Sequence, residues 1–86
     1  MFDNFFGGNV LVNNVRATGF TFDKRGIFTL TLADGTVWQQ EQGDNSFADW
    51  REPASRYLVT IRQGALGSAN LHVQGDSKVY KVRRLH

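Results

Sequence analysis

Two histidines and eight carboxylates, with no cysteine, are the groups available for catalysis or metal chemistry in this 86-residue chain. The missing thiols exclude a cysteine nucleophile, a disulfide scaffold and a cysteine-ligated zinc site. His72 lies on the polar side of an alternating run, and His86 is the last residue. Neither has a second ligand at metal-binding spacing, so no metal site and no cofactor are expected. Asp23, Asp34 and Asp76 each sit in a glycine-containing turn, where bonds from a carboxylate to backbone N–H groups explain them. No Gly-x-Ser-x-Gly nucleophile motif is present. Gly64-Ala65-Leu66-Gly67 has the spacing of a KH-type backbone clamp, but that clamp needs flanking helices, and both flanks here read as strands. The better reading is a kinked strand connection with Leu66 turned into the core. An enzyme is not expected, and a small hydrolase is the least supported function.

Binding chemistry has more to work with. Residues 1–52 hold seven acids against four bases, whereas residues 53–86 hold one acid against six bases. Lys78, Lys81, Arg83 and Arg84 crowd the last strand, and alternation turns Lys81 and Arg83 outward, with Arg62 and Arg56 as neighbours. Such a patch suits nucleic acid, an anionic glycan or an acidic protein surface. The competing reading is a charged edge strand that discourages strand-to-strand aggregation. Trp38, Trp50 and Tyr57 are the aromatic residues on which bases would stack if the partner were single-stranded nucleic acid. Trp38 is either an exposed binding residue or, with Phe47 and Trp50, part of a second small core beneath a loop. The binding set is therefore Trp38, Arg62, Lys81 and Arg83.

Residues 1–8 form an aromatic arm, with Phe2, Phe5 and Phe6 followed by Gly7-Gly8. The arm lacks the basic and long apolar regions of a secretory signal. It either packs on its own domain or docks on a partner. Together with an edge strand at residues 10–12, it makes a homodimer through Phe2, Phe5 and Phe6 a candidate.

The elements that must position these residues are strands. Residues 9–86 are too few for two domains and read as one small β domain. Residues 10–12 and 15–22 are β-branched and aromatic. Within the second run the apolar parity switches at Gly19, so a bulge there would place Val15, Ala17, Phe20 and Phe22 on one face. Asp23-Lys24-Arg25-Gly26 is a tight turn. Residues 27–32 alternate, with Phe28, Leu30 and Leu32 on one side. Asp34-Gly35 then signals a hairpin, and a two-residue turn would pair Leu32 with Val37 and Thr31 with Trp38. That register puts Trp38 on the face opposite the main apolar stripe.

Residues 43–56 are polar and hold Pro53, and they read as a long connection anchored by Phe47 and Trp50. Ser46 caps at most one helical turn, around residues 46–52. Residues 57–63, 69–74 and 78–85 are three further strands, and the turn at Gly75-Asp76 sets Leu71 opposite Tyr80 and Ala69 opposite Val82. The fold expected is all-β, a small antiparallel barrel of about six strands, SH3-like or OB-like. No run approaches the ~20 apolar residues of a membrane-spanning helix.

Three segments also carry a resemblance. Leu32-Ala33-Asp34-Gly35-Thr36-Val37-Trp38-Gln39-Gln40, then Val59-Thr60-Ile61-Arg62-Gln63-Gly64-Ala65-Leu66-Gly67-Ser68 with Leu71, and Tyr80-Lys81-Val82-Arg83-Arg84 occur in that order. The order resembles a family of small uncharacterised proteobacterial proteins with a DGxVWxQ hairpin, a GALGSxxL segment and a closing VRR strand. The matching positions span about residues 20–85. The resemblance implies an exported or envelope-associated protein, since many relatives have a variable leader before the domain, and it brings no catalytic residues. The function expected is a non-catalytic interaction module that binds a protein or anionic polymer, with a single-stranded nucleic-acid-binding barrel as the alternative.

Overall fold

The first strand, β1 (Val10–Phe22), serves two neighbours, and its register shifts three times along the way. In the computed structural model, which describes residues 9–64 and 67–86, its pairing slips between Ala17 and Gly19. That slip is the bulge expected at Gly19, and it turns Ala17 and Phe20 to the same side. Two further slips, between Val10 and Val12 and between Val12 and Val15, have no marker in the residue pattern; at the latter the chain runs through Asn14 with φ 58°. Asn tolerates this left-handed backbone, and its N–H is held by Thr60 Oγ1 at 3.1 Å. Residues 10–12 and 15–22 are thus one bent strand.

The remaining strands are β2 (Phe28–Leu32), β3 (Val37–Gln40), β4 (Leu58–Gln63), β5 (Ala69–Val73) and β6 (Val79–Arg84). They close a six-stranded antiparallel barrel in the order β1-β2-β3-β6-β5-β4, with β1 pairing to β4 through Val10↔Arg62 and Val15↔Val59. Closure corrects two expectations. Residues 10–12 are not an edge, because β4 covers them. Nor is β6 an edge, because it pairs with both β3 and β5. A closed barrel leaves no free edge to protect. The Leu71↔Tyr80 and Ala69↔Val82 pairs stand as expected.

The β2–β3 register is off by one residue from its expectation. Leu32 N–H bonds to Thr36 O, and Gly35 N–H bonds to Leu32 O, both at 3.0 Å. Ala33, Asp34 and Gly35 therefore make a three-residue loop, with Gly35 at φ +88°, rather than a two-residue turn. The pairs become Thr31↔Val37 and Leu30↔Trp38. A one-residue slip moves every side chain to the other face, so Trp38 joins the main core at 3% exposure. A Cβ at Gly35 would meet nothing within 4 Å, so only the backbone angle resists substitution. Gly35→Ala is expected to cost about 1 kcal/mol in a urea titration; an unchanged midpoint would contradict this loop geometry.

The barrel interior is filled by Phe28, Leu30, Leu32, Val59, Ile61, Leu71, Tyr80 and Val82, all nearly inaccessible. The long connection between β3 and β4 closes one end. It inserts Trp50 against Phe20, Phe28, Tyr57 and Tyr80, with ring centroids 4.6–5.9 Å apart. Phe47, the other expected anchor, faces outward and is 64% exposed, and Phe22 at the strand end is 39% exposed. Trp38 and Trp50 therefore share one core instead of building a separate cluster with Phe47. No helical turn forms at residues 46–52; Ser46 Oγ instead donates to Val79 O at 3.1 Å and ties the connection to β6. The one 3-10 turn named here is Ala54–Arg56, just after Pro53. Leu66 and the Phe2, Phe5 and Phe6 arm lie outside the described residues.

Candidate functional site

Antiparallel pairing assembles a basic strip from distant parts of the sequence. Arg62 on β4 lies opposite Asn70 on β5, and Asn70 lies opposite Lys81 on β6. Strands are about 4.8 Å apart, so Arg62 and Lys81 share one outer row roughly 10 Å from end to end. Arg83 stands about 7 Å further along β6 on the same face, opposite Gln39. Its Nη2 donates to Gln39 Oε1 at 3.5 Å, a long contact that leaves the guanidinium exposed. Glu41 follows β3 and continues the Lys81 row, tied by its N–H to Lys81 O at 2.8 Å.

Among the described residues, the ion pairs are Arg25–Asp23 at 3.5 Å and Arg51–Asp49 at 2.9 Å. Lys81, Arg83 and Arg84 are in neither. Among the described residues, no Asp or Glu side chain lies at ion-pair distance from Lys81 or Arg83, while Arg84 Nε donates to His86 O at 3.1 Å. Next to Arg62, a shallow cavity of about 220 Å³ is lined by Thr60, Arg62, Asn70 and His72. His72 Nε2 meets Asp76 O at 2.8 Å, which gives this histidine a turn-bracing bond.

Three of the four expected binding residues, Arg62, Lys81 and Arg83, come together on this face. Trp38 does not. Its ring is inside the barrel, and its Nε1–H donates to Thr36 Oγ1 at 2.8 Å, which in turn donates to Asp34 Oδ1 at 2.6 Å. The Thr36 hydroxyl and N–H hold the Asp34 carboxyl below its usual value. Gln39 and Asn70 belong to the face and were not singled out from the sequence. Strict alternation along β3 and β5 was the available signal for both.

The capped end carries a second polar group. A cavity of about 400 Å³ there is bordered by Trp50, Tyr57, Asp76, Lys78 and Tyr80. Tyr80 OH donates to Asp76 Oδ2 at 2.7 Å, and Lys78 N–H donates to Oδ1 at 3.0 Å. Burial works against the Asp76 charge, but the bonds from Tyr80 and the Lys78 N–H outweigh it and hold the carboxyl below its usual value. Burial first, then Asp76, pushes the Tyr80 phenol far above its ordinary range.

A carboxylate whose folded pKa is depressed stabilises the fold above its unfolded pKa of about 3.9, and that contribution disappears as pH falls through the lower folded value. Wild type is therefore expected to exceed Asp76→Asn in stability at neutral pH, with the gap closing below about pH 4. Urea midpoints across that range read it; a constant gap would contradict the Asp76 ionisation.

No group of three or more potential metal ligands occurs among the described residues. No helix among them is long and apolar enough to cross a membrane. In class, this is a small closed antiparallel barrel with a basic strip on its outer face. The chain matches no family model, no curated protein and no solved structure.

Proposed function

We propose that the protein is a non-catalytic interaction module that binds an anionic polymer through the outer face of β4, β5, β6 and β3. Arg62, Lys81 and Arg83 are its cationic contacts, and Asn70 and Gln39 are its neutral hydrogen-bonding neighbours. One observation carries the reading. β6 is an interior strand of a closed barrel, so its basic residues guard no edge, and among the described residues no Asp or Glu side chain pairs with them at ion-pair distance.

The partner is less well matched by single-stranded nucleic acid, because of the three stacking candidates Trp38 and Trp50 are buried and Tyr57 is packed against the core. The family resemblance points to the cell envelope as the compartment where such a polymer is met. Binding to polyphosphate tests the reading. The protein is expected to bind at ~50 mM salt and to be largely released at ~200 mM, as counterion release requires. No binding at the lower salt would sink it.

A further inference from the structure

A groove runs from the basic strip toward an exposed aromatic ring. One cavity of about 410 Å³ is lined by Asp23, Arg25, Gln39, Glu41, Gln42 and Arg83. A second, of about 320 Å³, shares Arg25, Ile27, Gln40 and Gln42 with it and ends on Phe47. Arg83 therefore belongs to both the strip and the groove. We propose that the groove binds a polysaccharide, with one sugar ring seated on Phe47 and acidic groups of the polymer on the strip; this rests on the anionic-polymer reading above.

The groove lining has a different chemistry from the strip. Two carboxylates, Asp23 and Glu41, face two guanidinium groups, Arg25 and Arg83, with side-chain amides between them. A bare polyanion offers only acceptors and would meet the two carboxylates as like charges. A sugar hydroxyl both donates and accepts. It can give its proton to Asp23 or Glu41 and receive one from an arginine or glutamine. Asp23 is fixed for this by N–H bonds from Arg25 at 2.8 Å and Ile27 at 3.0 Å. Those bonds, with that to Ile27 first, keep its carboxyl ionised to lower pH than usual.

Phe47 is the most exposed large apolar side chain noted among the described residues, at 64%. Its backbone is nevertheless held firmly. Lys78 Nζ donates to Phe47 O, and Gln40 Nε2 donates to Ser46 O at 2.8 Å. The ring lies against Gly26, where an added Cβ would come within 3.1 Å of Phe47 Cε1. A flat apolar ring presented from a braced loop matches the C–H face of a pyranose, and covering it recovers the free energy of its exposed surface.

The test uses three immobilised probes: oligogalacturonate, polyphosphate and a neutral glucan. Wild type is expected to bind the first two and to leave the third. Phe47→Ala removes an exposed side chain, so the fold should persist, as a thermal melt checks. This variant should bind oligogalacturonate about tenfold more weakly, while binding polyphosphate like wild type. The double variant Lys81→Ala/Arg83→Ala should weaken both. If Phe47→Ala binds oligogalacturonate as well as wild type, or wild type binds polyphosphate but not oligogalacturonate, the sugar site is wrong and the anion-binding face stands. If wild type binds neither, both readings fail.

Discussion

Replacing Trp50 with alanine should lower the melting temperature by at least ~12 °C. Truncating a buried Trp costs about 3–5 kcal/mol, and in a domain of this size each kcal/mol is worth about 4–8 °C. Total stability scales as roughly 0.05–0.15 kcal/mol per residue, so a large share of it would be lost. The site cannot collapse to fill the gap, because five rings converge on Trp50: Phe20, Phe22, Phe28, Tyr57 and Tyr80. Four of those rings come from three different strands, so the loop that carries Trp50 is part of the barrel core. Phe47, three residues earlier on the same loop, should behave oppositely, its alanine variant staying within about 0.5 kcal/mol of wild type. Thermal melts followed by circular dichroism compare the two. A Trp50→Ala protein melting within ~3 °C of wild type would mean that the long loop does not cap the barrel.

The second large effect concerns the strip. Each Lys or Arg near an anionic surface contributes about 1 kcal/mol, so Lys81→Ala/Arg83→Ala should weaken polyphosphate binding about 30-fold at low salt. Both side chains are exposed on an interior strand whose packing is supplied by Tyr80 and Val82. Removing the charges should leave the melting temperature near that of wild type, which separates a lost contact from a lost fold.

Local signals in the sequence reached as far as neighbouring strands. The parity switch at Gly19 marked the β1 bulge, because only an extra residue reconciles Ala17 with Phe20 on one face. The Leu71–Tyr80 pairing followed from matching apolar faces across one short turn. Trp38 shows where such signals end. Asp-Gly serves both two-residue and three-residue hairpin loops, and the bond from Leu32 N–H to Thr36 O that selects the longer one has no marker in the residue types. That single residue of register moved Trp38 from a candidate surface residue into the core.

Closure was equally hidden. The β1–β4 and β3–β6 pairings join residues 42 to 52 positions apart, and nothing local announces them, so both Val10–Val12 and β6 read as edges. Phe47 and Trp50 lie three apart in one polar loop, and composition gave no reason for one to face out and the other in. The basic residues were better placed by sequence than the aromatics, because alternation alone sets Arg62, Lys81 and Arg83 outward, and the barrel needed only to bring their strands side by side.

The salt dependence of polyphosphate binding, measured for wild type and Lys81→Ala/Arg83→Ala, tests the anion-binding face most directly. Each lost phosphate contact should reduce the slope of log K against log salt by about 0.7, the single-strand value, so the double variant should be shallower by about 1.4. Equal slopes for the two proteins would show that these side chains do not meet the anion.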